Sequence, residues 1–188
     1  MFDKFPDLLL IDATYKLNKR RIPLFIILIV DDNGESEIAC LWFIKSESIE
    51  CITPMIDAFK ELNPSWVRTK VIISDKDLAE RTVFSQMFNG IPIQICLFHA
   101  LRNFNREITT VQRELVLELL SKMAYSRSVS EYEILYRELV EMKVPLVIEH
   151  FNTNWHPTRS AWTLHGKNEW SNYMSYTIKQ KDANIITT

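Results

Sequence analysis

Apolar runs and short polar connections alternate through the first half of the chain. Leu8 to Tyr15 (LLLIDATY), Ile22 to Val30 (IPLFIILIV) and Ile38 to Ile44 (IACLWFI) are strand-length, and KLNKR and DDNGES separate them. Connections that short between such runs predict a three-strand antiparallel meander. Thr53 and Pro54 then read as an N-cap and first helical residue, with Ile56, Phe59 and Leu62 at helical spacing before the NPSW turn. KVIISDKD is a fourth strand ending on Asp75, LAERTVFSQMF a helix, and IPIQICLF a fifth strand. From His99 to about Phe151 the pattern is helical, through LRNFNREI, QRELVLELLSKMAY and EYEILYRELVEM, each with apolar residues three and four apart. The fold class is α/β. With no internal repeat and no linker, residues 1–188 are expected to form one domain, 1–98 its strand-rich core and 99–188 a mainly helical insertion.

The first run carries an acid where a buried charge costs several kcal/mol unless paired or metal-bound. Leu8 to Ile11 supplies four aliphatic residues, the mark of a strand covered on both faces, and Asp12 follows directly. If the meander leads through a right-handed helical crossover to a fourth strand parallel to the first, Asp12 and Asp75 both lie toward the C-terminal ends of parallel strands. In a sheet of order 3-2-1-4-5 those strands are neighbours, about 5 Å apart. Two carboxylates so close repel unless one is protonated or a cation bridges them, and hard oxygen ligands suit Mg2+ or Mn2+. The plainer reading of either acid is a turn cap or an ion pair with Lys16 or Lys76; two acids, each ending or interrupting an apolar strand, favour metal.

Composition narrows the partners. With 188 residues, 47% hydrophobic and 24% charged, the chain can bury a substantial core. A formal charge of -2 carries no global attraction for nucleic acid, so any such contact is local. Three widely spaced cysteines, Cys40, Cys51 and Cys96, make a poor disulfide framework and fit a reducing compartment. The run Ile22 to Val30 is too short to cross a bilayer, and the N-terminus resembles no signal peptide, so the expectation is an intracellular protein without a membrane partner.

Other groups carry weaker signals. Cys96 and His99 form CLFH, half of a zinc-site spacing; without a second pair, zinc is not expected, and a structural role is preferred, with Cys96 buried and His99 hydrogen-bonded near the acids. Trp155, Trp162 and Trp170 are seven and eight residues apart. A base-stacking platform at Trp162 is the functional reading, and core anchors the commoner one. Lys19, Arg20 and Arg21 sit in KLNKRR, where no acid intervenes, and are candidate phosphate contacts. Arg102, Arg106 and Arg113 are interleaved with Glu107, Glu114 and Glu118, which makes a mixed-charge surface the default. Asp77 reads as a helix N-cap.

DATYKLNKRRIPLFIILIVDDNGESE, KVIISDKDLAERTVF and ICLFHALRNF together resemble the ribonuclease-H-like transposase domain of Mutator-like elements, and more closely its domesticated form in the SWIM-type zinc-finger proteins one and three. D-x-TY-x-x-N, SDKD and C-x-x-H occur in that family's order. The resemblance implies a ribonuclease-H-like mixed five-stranded sheet with a C-terminal helical insertion. It also implies that Asp12 and Asp75 match the first two acids of a DDE triad, which uses two metal ions to cut and join DNA. The third acid, a Glu, normally follows the insertion and a TNN-x-x-ES-like segment; DANIITT is similar to the lead-in to that segment, and Glu149, Glu169 and Asp182 do not match its position. The resulting expectation is a transposase-derived domain inactive as this isolated chain, with DNA as partner and the nucleus as location. The alternative is a domesticated, non-catalytic DNA-binding or protein-interaction domain, with self-association or protein partners.

Overall fold

The computed structural model describes residues 2–14, 22–46, 48–76 and 78–166. These fall into two compact units that divide between Gln94 and Ile95. In the first, β1 (Leu8–Thr14), β2 (Leu24–Val30) and β3 (Ser36–Phe43) are followed by α1 (Ile49–Leu62), β4 (Val71–Ser74) and α2 (Leu78–Met87); β5 (Ile93–Ile95) completes a five-stranded sheet. The strand order is β3-β2-β1-β4-β5, as expected. β1 and β2 pair antiparallel, as do β2 and β3, while β1 and β4 run parallel.

Sequence explains why the meander closes where it does. β2 has an unbroken aliphatic and aromatic series with nearly every residue buried, the pattern of a strand covered on both faces. At its end Asp31 organises the turn: its Oδ1 accepts from the backbone N–H of Asn33 at 2.9 Å and of Glu35 at 2.8 Å. Gly34 takes φ 81°, a conformation a Cβ would strain. The register slips between Ile27 and Leu28, so Ala39 is an extra residue on the edge strand β3.

One sheet face carries the core. Leu9, Ile11, Phe25, Ile27, Ile29 and Ile72 pack with Ile52, Met55, Ile56 and Phe59 of α1 and with Val83, Phe84 and Phe88, the last just beyond α2. This packing corrects the start expected for α1. The helix begins at Ile49 with Ser48 as N-cap, leaving Pro54 inside it. Proline there removes one backbone donor, but the extra turn buries Ile52 completely, and tertiary burial outweighs the local preference. β5 is also shorter than its apolar run suggests: Leu97 and Phe98 start the next helix, for which Cys96 is the N-cap residue.

The second unit is helical: α3 (Leu97–Glu107), α4 (Arg113–Ala124), α5 (Val129–Glu141), α6 (Pro145–Asn154) and α7 (Arg159–Trp162). Ser128 caps α5, its Oγ accepting from the N–H of Glu131 at 3.1 Å. Phe104, Leu120, Tyr132, Phe151, Trp155 and Trp162 form the centre of its core. Trp155 and Trp162 meet edge to face at 5.8 Å between centroids, and the Trp162 indole N–H donates to the Trp155 carbonyl at 2.9 Å. Among the described residues no helix is long and apolar enough to cross a membrane.

Candidate functional site

The parallel ladder between β1 and β4 aligns Leu8 with Val71, Leu9 with Ile72 and Leu10 with Ile73. Two residues beyond Leu10 the strand β1 carries Asp12, and two beyond Ile73 the chain leaving β4 carries Asp75, so both acids come near the C-terminal ends of adjacent parallel strands. Backbones in such a pair run about 5 Å apart. Residues two apart on a strand share a face: Leu9, Ile11 and Ile72 belong to the core under α1 and α2, so Leu10, Asp12 and Ile73 have the opposite parity. Asp12 and Asp75 are both half-buried, neither sealed from water nor fully hydrated. C-terminal strand ends of this kind are where open α/β sheets bind ligands.

Local chain geometry differs between the two. Asp12 lies within β1 opposite Ile26 of β2, so its backbone is held on one side by that ladder. Asp75 is the first residue after β4. The backbone N–H of Lys76 donates to its Oδ1 at 2.6 Å, and the Ser74 hydroxyl donates to its carbonyl at 3.1 Å. The first bond orients the carboxylate, and the second holds the main chain at the strand end. Carboxylates near adjacent strand ends would offer hard oxygen donors to a divalent cation such as Mg2+, which takes one or two carboxylates and keeps several waters. Among the described residues no group of three or more His, Cys, Asp or Glu side chains is arranged to hold a metal ion.

The remaining sequence candidates are dispersed. Cys96 is buried as the N-cap residue of α3, and His99, half-buried, packs its ring on Phe98 at 5.4 Å. Trp162 is wholly enclosed, which corrects its reading as a stacking platform: a base could reach its ring only by opening the core it shares with Phe104, Tyr132 and Trp155. Lys19, Arg20 and Arg21, Asp77 with its expected capping role, and Trp170, Glu169 and Asp182 lie outside the described residues. Glu149 is exposed on α6.

Arg81 is a residue that pattern reading overlooks. It stands on α2, donates from Nη2 to the Ile93 carbonyl at 3.0 Å and so ties that helix to β5, while its Nη1 is buried without a hydrogen-bond partner. Burial lowers the affinity of this guanidinium for its proton. A lone arginine among mixed helix residues gives no sequence signal for such a position, because only the depth of the packed helix determines it.

Residues 1–94, which contain both acids, match the family model described as the RNaseH-like domain of zinc finger SWIM domain-containing protein 1/3.

Proposed function

Because the chain belongs to the RNaseH-like domain family of zinc finger SWIM domain-containing proteins 1 and 3, we propose that Asp12 and Asp75 form a divalent-metal site inherited from a DNA strand-cleaving and strand-joining enzyme. The observation that supports this reading is the parallel β1–β4 ladder, paired as far as Leu10 and Ile73, each of which precedes one of the acids by two residues. Each carboxylate contributes hard oxygen donors, and Lys76 N–H fixes the orientation of one of them. A bound Mg2+ or Mn2+ would supply Lewis-acid stabilisation of phosphodiester oxygens.

A second reading has its own support. Two acids without a third donor among the described residues make a weak and incompletely fixed site, which favours a domain that retains metal binding and DNA engagement without cleavage. In this reading the domain serves a nuclear DNA-binding or protein-interaction role.

Manganese titration during thermal unfolding tests the site. The midpoint rises with Mn2+ in the parent protein and stays constant in Asp12→Asn and Asp75→Asn; a parent midpoint indifferent to Mn2+ defeats the metal reading. Incubation of the same protein with supercoiled DNA and Mn2+ separates the two versions, since nicking that is lost in both variants supports the enzyme and intact DNA supports the non-catalytic domain.

A further inference from the structure

The helix that follows the C-x-x-H motif turns an unexpectedly cationic side outward. α3 buries Leu97, Ala100 and Phe104, with Ile108 just after it. Phe98, Arg102 and Arg106 are each four residues apart and exposed, forming a stripe on another side of the helix. The acid interleaved with them in sequence does not interrupt it. Glu107 lies about 140° round the helix from Arg102, at 3.6 residues per turn. Its Oε2 accepts from the Trp155 indole at 3.0 Å and from His150 Nε2 at 3.0 Å, so its charge is directed to α6 and the segment just beyond it. Glu118, on α4, is met by Lys122 at 2.7 Å.

The arginines have no such acid. Among the described residues no ion pair joins Arg102, Arg106 or Arg113 to a carboxylate. Among the described residues Arg106 donates to the side chain of Asn103, at 2.9 Å. Arg113 donates to the Ile108 carbonyl at 3.2 Å and to the Asn105 carbonyl at 2.6 Å, which brings a third guanidinium to the end of the same helix. Successive residues four apart stand about 5–6 Å apart at Cβ, a spacing that lets neighbouring guanidiniums address neighbouring phosphates of one strand. Phe98, 41% exposed, adds an aromatic surface at the start of the stripe.

We propose that the Phe98–Arg102–Arg106 side of α3, extended by Arg113, is a docking surface for the phosphate backbone of nucleic acid. Charge complementarity selects this occupant: Arg102 and Arg106 offer planar multi-donor cations that no carboxylate among the described residues pairs, with the exposed Glu114 confined to the Arg113 end, and the whole chain at -2 carries no general attraction for polyanions. Phosphate contacts of this kind position a duplex without reading its sequence. The inference rests on the proposed function only for the choice of DNA as probe, because the surface needs no metal.

The test measures anisotropy of a labelled mixed-sequence DNA duplex, several helical turns long, with the intact chain in EDTA at several salt concentrations. The parent binds, and Arg102→Gln/Arg106→Gln weakens binding at least tenfold. Each phosphate contact contributes about 0.9 to the slope of log K against log salt, so the double variant lowers that slope by about 1.8. Arg102→Lys/Arg106→Lys retains most of the affinity, while the charge-matched control Arg127→Gln/Arg137→Gln, on exposed positions of α5 and just before it, leaves affinity and slope unchanged. Circular dichroism and the unfolding midpoint establish that each variant is folded. No binding by the parent, equal losses in the control, or equal competition by polyglutamate overturns the proposal. The arginine effect is read in EDTA, so an absent manganese effect on the parent's unfolding midpoint with a retained arginine effect on DNA binding defeats the metal site and leaves this surface standing.

Discussion

Leu10 of β1 sits opposite Ile73 of β4 in a parallel ladder, and two residues beyond each of them the chain places an aspartate. On the proposed metal-site reading, this pairing brings two acids, far apart in sequence, to one edge of the sheet. In that arrangement, without a cation, the two carboxylates would repel each other. Unit charges about 5 Å apart in a partly hydrated site repel by about 1–3 kcal/mol. Asp12→Asn is therefore expected to raise the unfolding midpoint in EDTA and to lower it relative to the parent in saturating Mn2+; a variant less stable than the parent in both buffers contradicts the crowding on which the site depends.

Glu107 holds two donors at once, the Trp155 indole and His150. Glu107→Gln keeps an acceptor for the indole and is expected to cost little. Glu107→Ala leaves the indole N–H without this acceptor and is expected to cost about 1–3 kcal/mol. Urea unfolding followed by tryptophan fluorescence compares them, and equal stability of the two variants would deny Glu107 this role.

Trp162 fills the helical core with Phe104, Tyr132, Phe151 and Trp155 around it. Trp162→Ala is expected to destabilise the protein by about 3–5 kcal/mol, and Trp162→Phe by less. Calorimetry checks the order, and an alanine variant as stable as the parent would return Trp162 to the surface.

Acid is expected to weaken the helical unit through two histidines. Burial, followed by the nearby Arg159, lowers the proton affinity of His156; burial is also the main cause for His165, reinforced by Arg159 and partly opposed by its bond with the Ser126 backbone. Both rings lie against Tyr132, at 5.7 and 5.6 Å, with Glu131 and Glu133 supplying weaker opposing charge. A histidine whose folded affinity is depressed favours the unfolded chain once protons bind there, from the ordinary value near 6.5 downward. Stability is present above that pH and falls as pH drops toward the lowered folded values. His156→Gln/His165→Gln is expected to flatten the unfolding midpoint between pH 7.5 and 5 relative to the parent; parallel curves would refute the assignment.

Much of the fold follows from local pattern, because strand length, turn chemistry and helical spacing are properties of short stretches. The DDNGES turn needs only an Asp to accept and a Gly at φ 81°, and the strand order follows from a meander joined to one crossover. The start of α1 does not follow so simply. Thr53 and Pro54 satisfy a local preference for a helix start, whereas the buried surface of Ile52 extends the helix back to Ile49. Phe98 likewise continues an apolar run in sequence yet belongs to a helix, because Leu97, Ala100 and Phe104 face the helical core together.

From sequence alone come the acids, their position on apolar strands, the family likeness and the presence of aromatic and basic clusters. Tertiary structure decides their use. It pairs β1, which carries Asp12, with β4, which leads into Asp75, through a register no single strand contains, encloses Trp162 that spacing leaves ambiguous, and turns Glu107 inward while Arg102 and Arg106 remain in water. The physical reason is that side-chain chemistry belongs to the residue, whereas neighbourhood, burial and the direction of a charge arise only when distant segments pack.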